Sequence, residues 1–245
     1  MGKSVVVTSG KGGVGKSTAV MGLGRALAAR GRRVLLVDCD AGLRSLDRFS
    51  GIEEQLVYDI GDVVRGHCIP KDAIYSCAPG LFILPAPSSI ENRVAPPAMD
   101  RLVPFLKKYY DYVILDSPAG IGTGFRGAVC AADEAIIVCN PDSVSVRGSI
   151  AVQKLLSEMG ISKTRLLINR LNTGFFTSTG LYADLDSVID DAGIQLFGVV
   201  REDYSMVSDF LSGKIPDPAC PGAMAFSRIA GRLEGESIPL ETLRY

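Results

Sequence analysis

The chain has 245 residues, of which 47% are hydrophobic and 22% charged, and this balance predicts a globular protein with a sizeable core. Its formal net charge of -1 argues against broad, non-specific binding of nucleic acid. The cysteines contain no C-x-x-C pair, which argues against a disulfide framework and against an iron–sulfur carrier. Because no leader segment and no run of about 18 apolar residues is found, we expect a cytoplasmic protein.

Apolar, β-branched runs alternate with helical patterns along the chain. The predicted strands are 4–8, 33–38, 81–85, 112–116, 134–139, 165–169 and 195–200. The predicted helices are 17–30, 97–109, 144–159, 182–192, 204–212 and 222–233. This alternation predicts one α/β domain over residues 1–245, with a mainly parallel, twisted sheet of about seven or eight strands and helices on both faces. Ligands of such folds bind where the strands end.

The segment between the first strand and the first helix carries the strongest motif. Residues 10–17 read G-K-G-G-V-G-K-S, which satisfies the P-loop pattern G-x-x-x-x-G-K-[ST] in the strand–loop–helix context that the pattern requires. Glycines let backbone N–H groups surround phosphate oxygens, and the helix N-terminus adds partial positive charge. Lys16 is predicted to reach the β- and γ-phosphates of ATP, and the Ser17 hydroxyl to bind Mg²⁺.

Carboxylates end two other predicted strands. Asp116 follows four apolar residues, as a Walker B carboxylate that holds Mg²⁺ does. Asp38 and Asp40 stand at the end of the second strand, where either could instead cap a helix.

The motif K-G-G-V-G-K-S-T at residues 11–18 resembles the deviant Walker A box of the MinD/ParA family of P-loop ATPases. The segments D-C-D-A-G-L-R-S-L-D at 38–47 and D-S-P-A-G-I at 116–121 resemble the two switch segments of the MinD branch of that family. Weaker similarity runs over nearly the whole chain. The resemblance implies an ATP-dependent homodimer that hydrolyses ATP to ADP and phosphate, acts in division-site placement, and binds a division inhibitor resembling MinC.

The same resemblance implies roles for individual residues. Lys11 would cross a dimer interface to the partner's nucleotide, and Asp40 would orient the attacking water, so the catalytic set is Lys11, Lys16 and Asp40. The predicted metal set is Ser17, Asp38, Asp40 and Asp116. The predicted nucleotide contacts are Gly10, Lys11, Gly12, Gly13, Val14, Gly15, Lys16, Ser17 and Thr18 at the phosphates, and Asn169, Arg170, Arg201 and Asp203 near the adenine.

The chain departs from the family pattern at three places. Gly122 and Gly148 stand where members of the MinD branch carry a glutamate and an aspartate. The tail at 234–245 lacks the basic, apolar helix that attaches such members to membranes, and Pro239 would break one. The apolar stripe of the preceding helix, which includes Phe226 and Ile229, is predicted to pack on the core. A peripheral position on the inner face of the cell membrane is left open.

Other functions of the same fold remain as alternatives. A partition ATPase of the ParA type would need a basic DNA-binding surface, which the net charge disfavours, so no specific nucleic acid is expected. A regulator of flagellar number and an ATP-binding scaffold without turnover also share the fold.

Overall fold

A computed structural model describes residues 2–180 and 182–240 of the chain. Within that part the strands are β1 (Lys3–Thr8), β2 (Val34–Asp38), β3 (Tyr75–Ala78), β4 (Leu81–Leu84), β5 (Tyr112–Asp116), β6 (Glu134–Cys139), β7 (Thr164–Leu171) and β8 (Leu196–Arg201). They form one eight-stranded sheet in the order β3-β4-β2-β5-β1-β6-β7-β8. Every pairing is parallel except that of β3 with β4, which confirms the predicted α/β class.

Strand β3 was missed by the sequence prediction. Its residues read Y-S-C-A, are only partly buried, and contain no apolar run of the kind that marks the other strands. It reaches the sheet through a tight turn at Gly80, whose φ of 76° is left-handed, and pairs antiparallel with β4. An edge segment of this kind becomes a strand through its pairing with the neighbouring strand rather than through its own sequence.

The α-helices are α1 (Lys16–Ala29), α2 (Ser45–Ser50), α3 (Ile60–Arg65), α4 (Pro96–Leu106), α5 (Thr123–Cys130), α6 (Ser143–Glu158), α7 (Thr173–Thr179), α8 (Leu185–Ala192), α9 (Tyr204–Leu211) and α10 (Pro221–Leu233). The prediction of six helices was therefore incomplete. Helices α2, α3 and α7 are too short to show a helical period, and α5 begins in a glycine-rich stretch that is typical of a loop. Helix α8 begins at residue 185 rather than 182, because the Asp184 side chain accepts a hydrogen bond from the Ser187 backbone and caps it.

Two apolar clusters cover the two faces of the sheet, as helices on both faces require. The predicted packing of the last helix is confirmed: Phe226 and Ile229 of α10 are each 1% exposed. The Arg232 side chain, near the end of α10, donates hydrogen bonds to the backbone oxygens of Ile238 and Pro239, which follow the helix. The last part of the predicted tail, residues 241–245, lies outside the described residues. No helix within residues 2–180 or 182–240 is both long and apolar enough to cross a bilayer.

The parallel strands deliver their carboxyl ends to one edge of the sheet. Strand β1 ends at Thr8, directly before the P-loop, and lies between β5 and β6. Asp38 and Asp116 end the neighbouring strands β2 and β5 and are partners in the strand register. The topology therefore places the predicted phosphate loop next to two of the three predicted metal carboxylates.

Candidate nucleotide-binding site

The P-loop turns through two left-handed glycines before α1 begins. Gly13 has a φ of 78° and Gly15 a φ of 93°, a conformation that side chains disfavour. Gly15 is also confined by a close neighbour, because a Cβ added there would lie 2.3 Å from the Asn169 amide nitrogen. A glycine is therefore required at position 15 for two independent reasons.

Asn169 braces this loop from the end of β7. Its side chain is buried, and its amide nitrogen donates to the Val14 carbonyl oxygen at 2.8 Å. One N–H of the amide predicted to read adenine is thus committed to the P-loop. No other hydrogen bond of this amide is seen within the described residues, which leaves an acceptor and a second donor on the side chain.

The residues that follow the loop form an electropositive helix start. Lys16 and Ser17 open α1, whose first turn contains no acidic residue, so the helix dipole is not neutralised by its own side chains. Lys16 is only 8% exposed, which holds its ammonium close to the loop rather than in solvent. This arrangement suits an anion with several oxygens, such as a polyphosphate.

Two carboxylates are buried beside this positive region. Asp38 and Asp116 are each 1% exposed. Asp38 accepts hydrogen bonds from the backbone N–H of Asp40 at 2.9 Å and of Leu46 at 3.3 Å. By contrast, neither carboxylate oxygen of Asp116 is in good hydrogen-bond geometry with a described residue, although the Ser17 hydroxyl is close enough to lower its pKa. A buried carboxylate without partners is costly, which indicates that a cation belongs at this position.

The pKa shifts of Asp38 and Asp116 also indicate a position for a cation. Burial raises the pKa of Asp116 to about 7, against the opposing influence of Ser17 and Lys16. Burial and the neighbouring Asp116 raise the pKa of Asp38 well above its ordinary range. A divalent cation next to both groups would restore their charged forms.

The donor set fits Mg²⁺ when it is combined with phosphate oxygens. Within the described residues, no group of three or more His, Cys, Asp or Glu side chains is arranged to hold a metal ion on its own. Mg²⁺ in phosphate-binding sites takes one or two protein ligands and completes its shell with water and phosphate oxygens. Ser17 and Asp116, which lie close enough together for the Ser17 hydroxyl to lower the Asp116 pKa, fit that requirement, and Asp38 is the register partner of Asp116 on the neighbouring strand.

Asp40 lies in a cavity of about 210 Å³ between the two predicted switch segments. Burial raises the pKa of Asp40, and Lys16 opposes that rise, so the carboxylate lies within electrostatic reach of the phosphate lysine. Arg93 also lines this cavity and donates to the Thr123 hydroxyl at 3.0 Å. No sequence motif singles out Arg93, which lies in an irregular segment far along the chain from either switch.

Lys11 projects from the P-loop toward α6. Its ammonium lies 3.6 Å from a carboxylate oxygen of Asp142, and the two side chains are 45% and 32% exposed. Asp142 is already the N-cap of α6, where it accepts from the backbone N–H of Val144 and Ser145. Sequence reasoning gave Asp142 no part in the site.

The four residues predicted near the adenine lie together. Asn169, Arg170, Arg201 and Asp203 line one cavity of about 170 Å³ that also touches Thr18 of α1. Its lining also includes the largely exposed Tyr204, which sequence reasoning missed although it directly follows the predicted set.

Asp203 is the most constrained member of that group. Its carboxylate accepts from the Ser205 hydroxyl at 2.7 Å, the Met206 backbone at 3.0 Å and the Gly222 backbone at 2.9 Å. Asp203 therefore ties the start of α9 to the start of α10, and it shapes the cavity through the backbone it holds.

The two departures from the family pattern differ in their surroundings. A Cβ at Gly122 would meet no atom within 4 Å, so that position borders open space. Gly148 of α6 packs against Gly10 of the P-loop, and a Cβ at Gly10 would lie 2.2 Å from the Gly148 backbone. The loop and α6 therefore meet backbone to backbone.

Comparisons with known proteins agree with this geometry. The AAA_31 family model, described as an AAA domain, matches residues 2–170. The septum site-determining protein MinD of Bacillus subtilis (strain 168) is 40% identical over 252 residues, covering 99% of this chain and 93% of that protein.

Solved structures extend the similarity to the fold. The chain superposes on the MinC:MinD cell division protein complex of Aquifex aeolicus with a TM-score of 0.89 and 36% identity, over 99% of each chain. It superposes on the septum site-determining protein MinD of Pyrococcus horikoshii OT3, complexed with Mg-ADP, with a TM-score of 0.86 and 28% identity, over 96% of each chain. From its P-loop, its fold and these relatives, the chain belongs to the MinD family of septum site-determining P-loop ATPases.

Proposed function

We propose that this ATPase works as a dimerising switch in which ATP on the P-loop brings two copies of the chain face to face. Lys11 then leaves Asp142 and reaches across the interface to the phosphates of the other copy's nucleotide. Hydrolysis to ADP and phosphate removes the γ-phosphate that holds the two copies together. A cation delivered in this way stabilises charge that develops at the phosphates in the transition state.

Each remaining site residue has a defined task in this scheme. Backbone N–H groups of residues 10–15 and the Lys16 ammonium hold the phosphates. Ser17 and Asp116 hold Mg²⁺, which neutralises phosphate charge, and Asp38 supports that shell. Asp40 accepts a hydrogen bond from the attacking water and orients it. The cavity lined by Asn169 and Arg201 takes the adenine.

The observation that carries the proposal is the position of Lys11. A lysine that served its own nucleotide would lie over the loop, as the mostly buried Lys16 does. Lys11 is instead 45% exposed and turned toward Asp142, beside the mouth of the site. Because a surface ion pair of this kind contributes only about 0–1 kcal/mol, the lysine is readily transferred to a stronger anion.

The partners follow from the same surface. We infer that the ATP-bound dimer presents its switch segments to a division inhibitor resembling MinC, since the Aquifex aeolicus relative forms a MinC:MinD complex. We place the protein in the cytoplasm, with attachment to the inner face of the cell membrane as the alternative that a lipid experiment decides.

The test is light scattering of the purified chain with ATP, with ADP and without nucleotide. We expect the unmodified chain to dimerise with ATP but not with ADP or without nucleotide. The Lys11→Ala variant should stay monomeric with ATP. The control Lys108→Ala, which changes an exposed lysine before the amino end of β5, should behave like the unmodified chain. Asp40→Ala should keep ATP binding, lose turnover about 100-fold or more, and accumulate the dimer. A Lys11→Ala variant that still dimerises and hydrolyses normally would contradict the proposal.

Sedimentation with vesicles that contain anionic phospholipid settles the location. Pelleting that requires both ATP and anionic lipid would assign the membrane position. An ATP-dependent dimer that stays in the supernatant would assign the cytoplasmic one.

A further inference from the structure

A second concave surface lies on the other half of α1, away from the phosphates. It is a groove of about 520 Å³ between α1, the end of α9 and the segment that leads into α10. Its walls are mainly apolar and include Ala26, Leu81 and Phe210. Ile215 stands 68% exposed at its rim. The position along α1, about 14 Å of helix axis beyond Lys16, separates this groove from the nucleotide site.

A single unneutralised cation lies in this apolar groove. The Nε atom of Arg25 is buried and has no hydrogen-bond partner among the described residues. Within that part of the chain no ion pair involves its guanidinium, which lies 5.8 Å from the centroid of the Phe210 ring. Arg25 as a whole is only partly buried, so the rest of its guanidinium can meet a ligand, and an anion there would give the buried Nε–H the acceptor that such groups normally have.

The described neighbours of Arg25 do not supply that anion. Of the described residues that line the groove, two are arginines and none is a carboxylate. The second arginine, Arg30, is paired with Glu234 and Glu236. Cys77 is close enough to influence Arg25, but burial raises the pKa of this thiol to about 11, so it is uncharged at neutral pH. Burial in turn lowers the pKa of the Arg25 guanidinium.

We propose that this groove binds an anion carried on an apolar chain, namely a long-chain fatty carboxylate, with its carboxylate on Arg25 and its chain along the apolar wall. A guanidinium matches a carboxylate in charge and can form two parallel hydrogen bonds with it. The cavity volume lies within the range of small-molecule sites, about 300–1,000 Å³.

The polarity of the lining selects this ligand over a peptide. A peptide carries a donor and an acceptor at nearly every residue, and each one needs a partner when it is buried. Among the lining side chains the polar ones are Arg25, Arg30 and Ser227. A fatty carboxylate has one polar group, which one free guanidinium satisfies.

The test is a displacement titration with the full chain. Fluorescent cis-parinarate, kept below its critical micelle concentration, reports occupancy, and palmitate competes with it. We expect saturable binding of one ligand per chain and weaker competition by octanoate, because each buried methylene raises affinity about fourfold. Methyl palmitate, which has the same chain without the charge, should compete at least about tenfold less well than palmitate.

Variants locate the ligand. Arg25→Gln should weaken palmitate at least about tenfold without affecting methyl palmitate, and Arg25→Lys should recover part of the loss. Arg30→Gln, in the same groove lining and directly after the end of α1, is the matched control, because its charge is already paired, and it should change affinity less than about threefold. Ser227→Trp, at an exposed position of the lining, should block binding with both arginines intact. ADP binding and the thermal midpoint confirm that each variant is folded.

Three results would overturn the proposal: no saturable binding, equal affinity for palmitate and its methyl ester, or unchanged affinity in both Arg25→Gln and Ser227→Trp. The ester comparison needs only the unmodified chain, so it decides the matter even if a variant fails to fold. Because nucleotide binding is measured separately, failure here is distinguishable from failure of the switch.

Discussion

Two buried aspartates at the same edge of the sheet have opposite surroundings. Asp116, at the phosphate end, has neither oxygen in good hydrogen-bond geometry with a described residue, and burial raises its pKa to about 7. Asp203, at the base end, is also buried, but hydrogen bonds from Ser205 and Met206 outweigh the effect of burial and lower its pKa. The Asp116 carboxylate therefore has a position for a cation, whereas the Asp203 carboxylate is already fully hydrogen-bonded and has a structural role.

The contrast teaches how to separate binding groups from structural groups. A partner-poor buried charge destabilises the empty protein and gains most when a ligand arrives. A fully bonded charge stabilises the protein whether or not a ligand is present. The phosphate end should therefore supply most of the nucleotide affinity, and the base end most of the local stability.

The largest effect should come from Lys16→Ala. This change removes the mostly buried lysine that we propose holds the phosphates, so we expect ATP affinity to fall about 100-fold or more. Isothermal titration calorimetry measures the loss, with the exposed Lys214→Ala as a control that keeps full affinity. Undiminished binding in Lys16→Ala would remove the P-loop assignment and, with it, the contrast between the two ends.

The two aspartates should respond oppositely to neutralisation in the empty protein. Asp203→Asn keeps an oxygen for the N-cap of α9 but turns its NH₂ group toward the Gly222 N–H, so it should lower the free energy of unfolding by about 1–3 kcal/mol. Asp116→Asn removes an unpaired buried charge and should raise it by about 1–3 kcal/mol at pH 8. Urea unfolding without nucleotide or Mg²⁺ gives both values, and a loss of stability in both variants would break the comparison.

The pH dependence of stability should reveal Asp116, whose share is found by comparison with Asp116→Asn because burial also raises the pKa of Asp38 and of Asp40. Its folded pKa is raised from 3.8 to about 7, so its stabilising contribution is complete below pH 4 and is lost as the pH rises through 7. We therefore expect the urea midpoint of the empty protein to fall between pH 5 and pH 8, and to fall less in Asp116→Asn. Saturation with Mg-ADP should flatten the wild-type profile, since a bound cation favours the charged carboxylate.

The smallest effect should come from Asp142→Ala. This change releases Lys11 from its partner within the same chain, so the ATP-dependent dimer should tighten, but by no more than about threefold to fivefold. Asp142→Asn, which keeps the cap of α6, separates the two roles of this residue. Light scattering over a range of protein concentrations gives the dimer constants, and a weaker dimer in Asp142→Asn would assign this carboxylate to the interface instead.

The phosphate end of the site was predictable from the sequence because its residues are contiguous. Lys16 and Ser17 follow a buried strand directly, and the glycine spacing admits one loop type. Asp116 was visible for a similar reason, since four apolar residues precede it. The structure places all three at the edge of the sheet where they were expected.

The remaining features depend on contacts between distant segments. The pairing of Lys11 with Asp142 spans more than half of the chain, and Arg93 reaches the Asp40 cavity from a segment without regular structure. Strand β3 and four short helices escaped prediction because each is stabilised by its neighbours rather than by its own period. The hydrogen bond from the Asn169 side chain to the P-loop could likewise not be predicted from the sequence, where Asn169 and Arg170 stand as an isolated pair.

The backbone contact between Gly10 and Gly148 limits how this ATPase can change over generations. A Cβ at residue 10 would lie 2.2 Å from the Gly148 backbone, whereas one at residue 148 would approach Gly10 only to 3.2 Å. A side chain can therefore be accommodated at residue 148 of α6 but not at residue 10 of the P-loop. A side chain acquired at residue 148 would shift the P-loop by a few tenths of an ångström, so a lineage can retune its nucleotide affinity without altering any residue that touches the nucleotide.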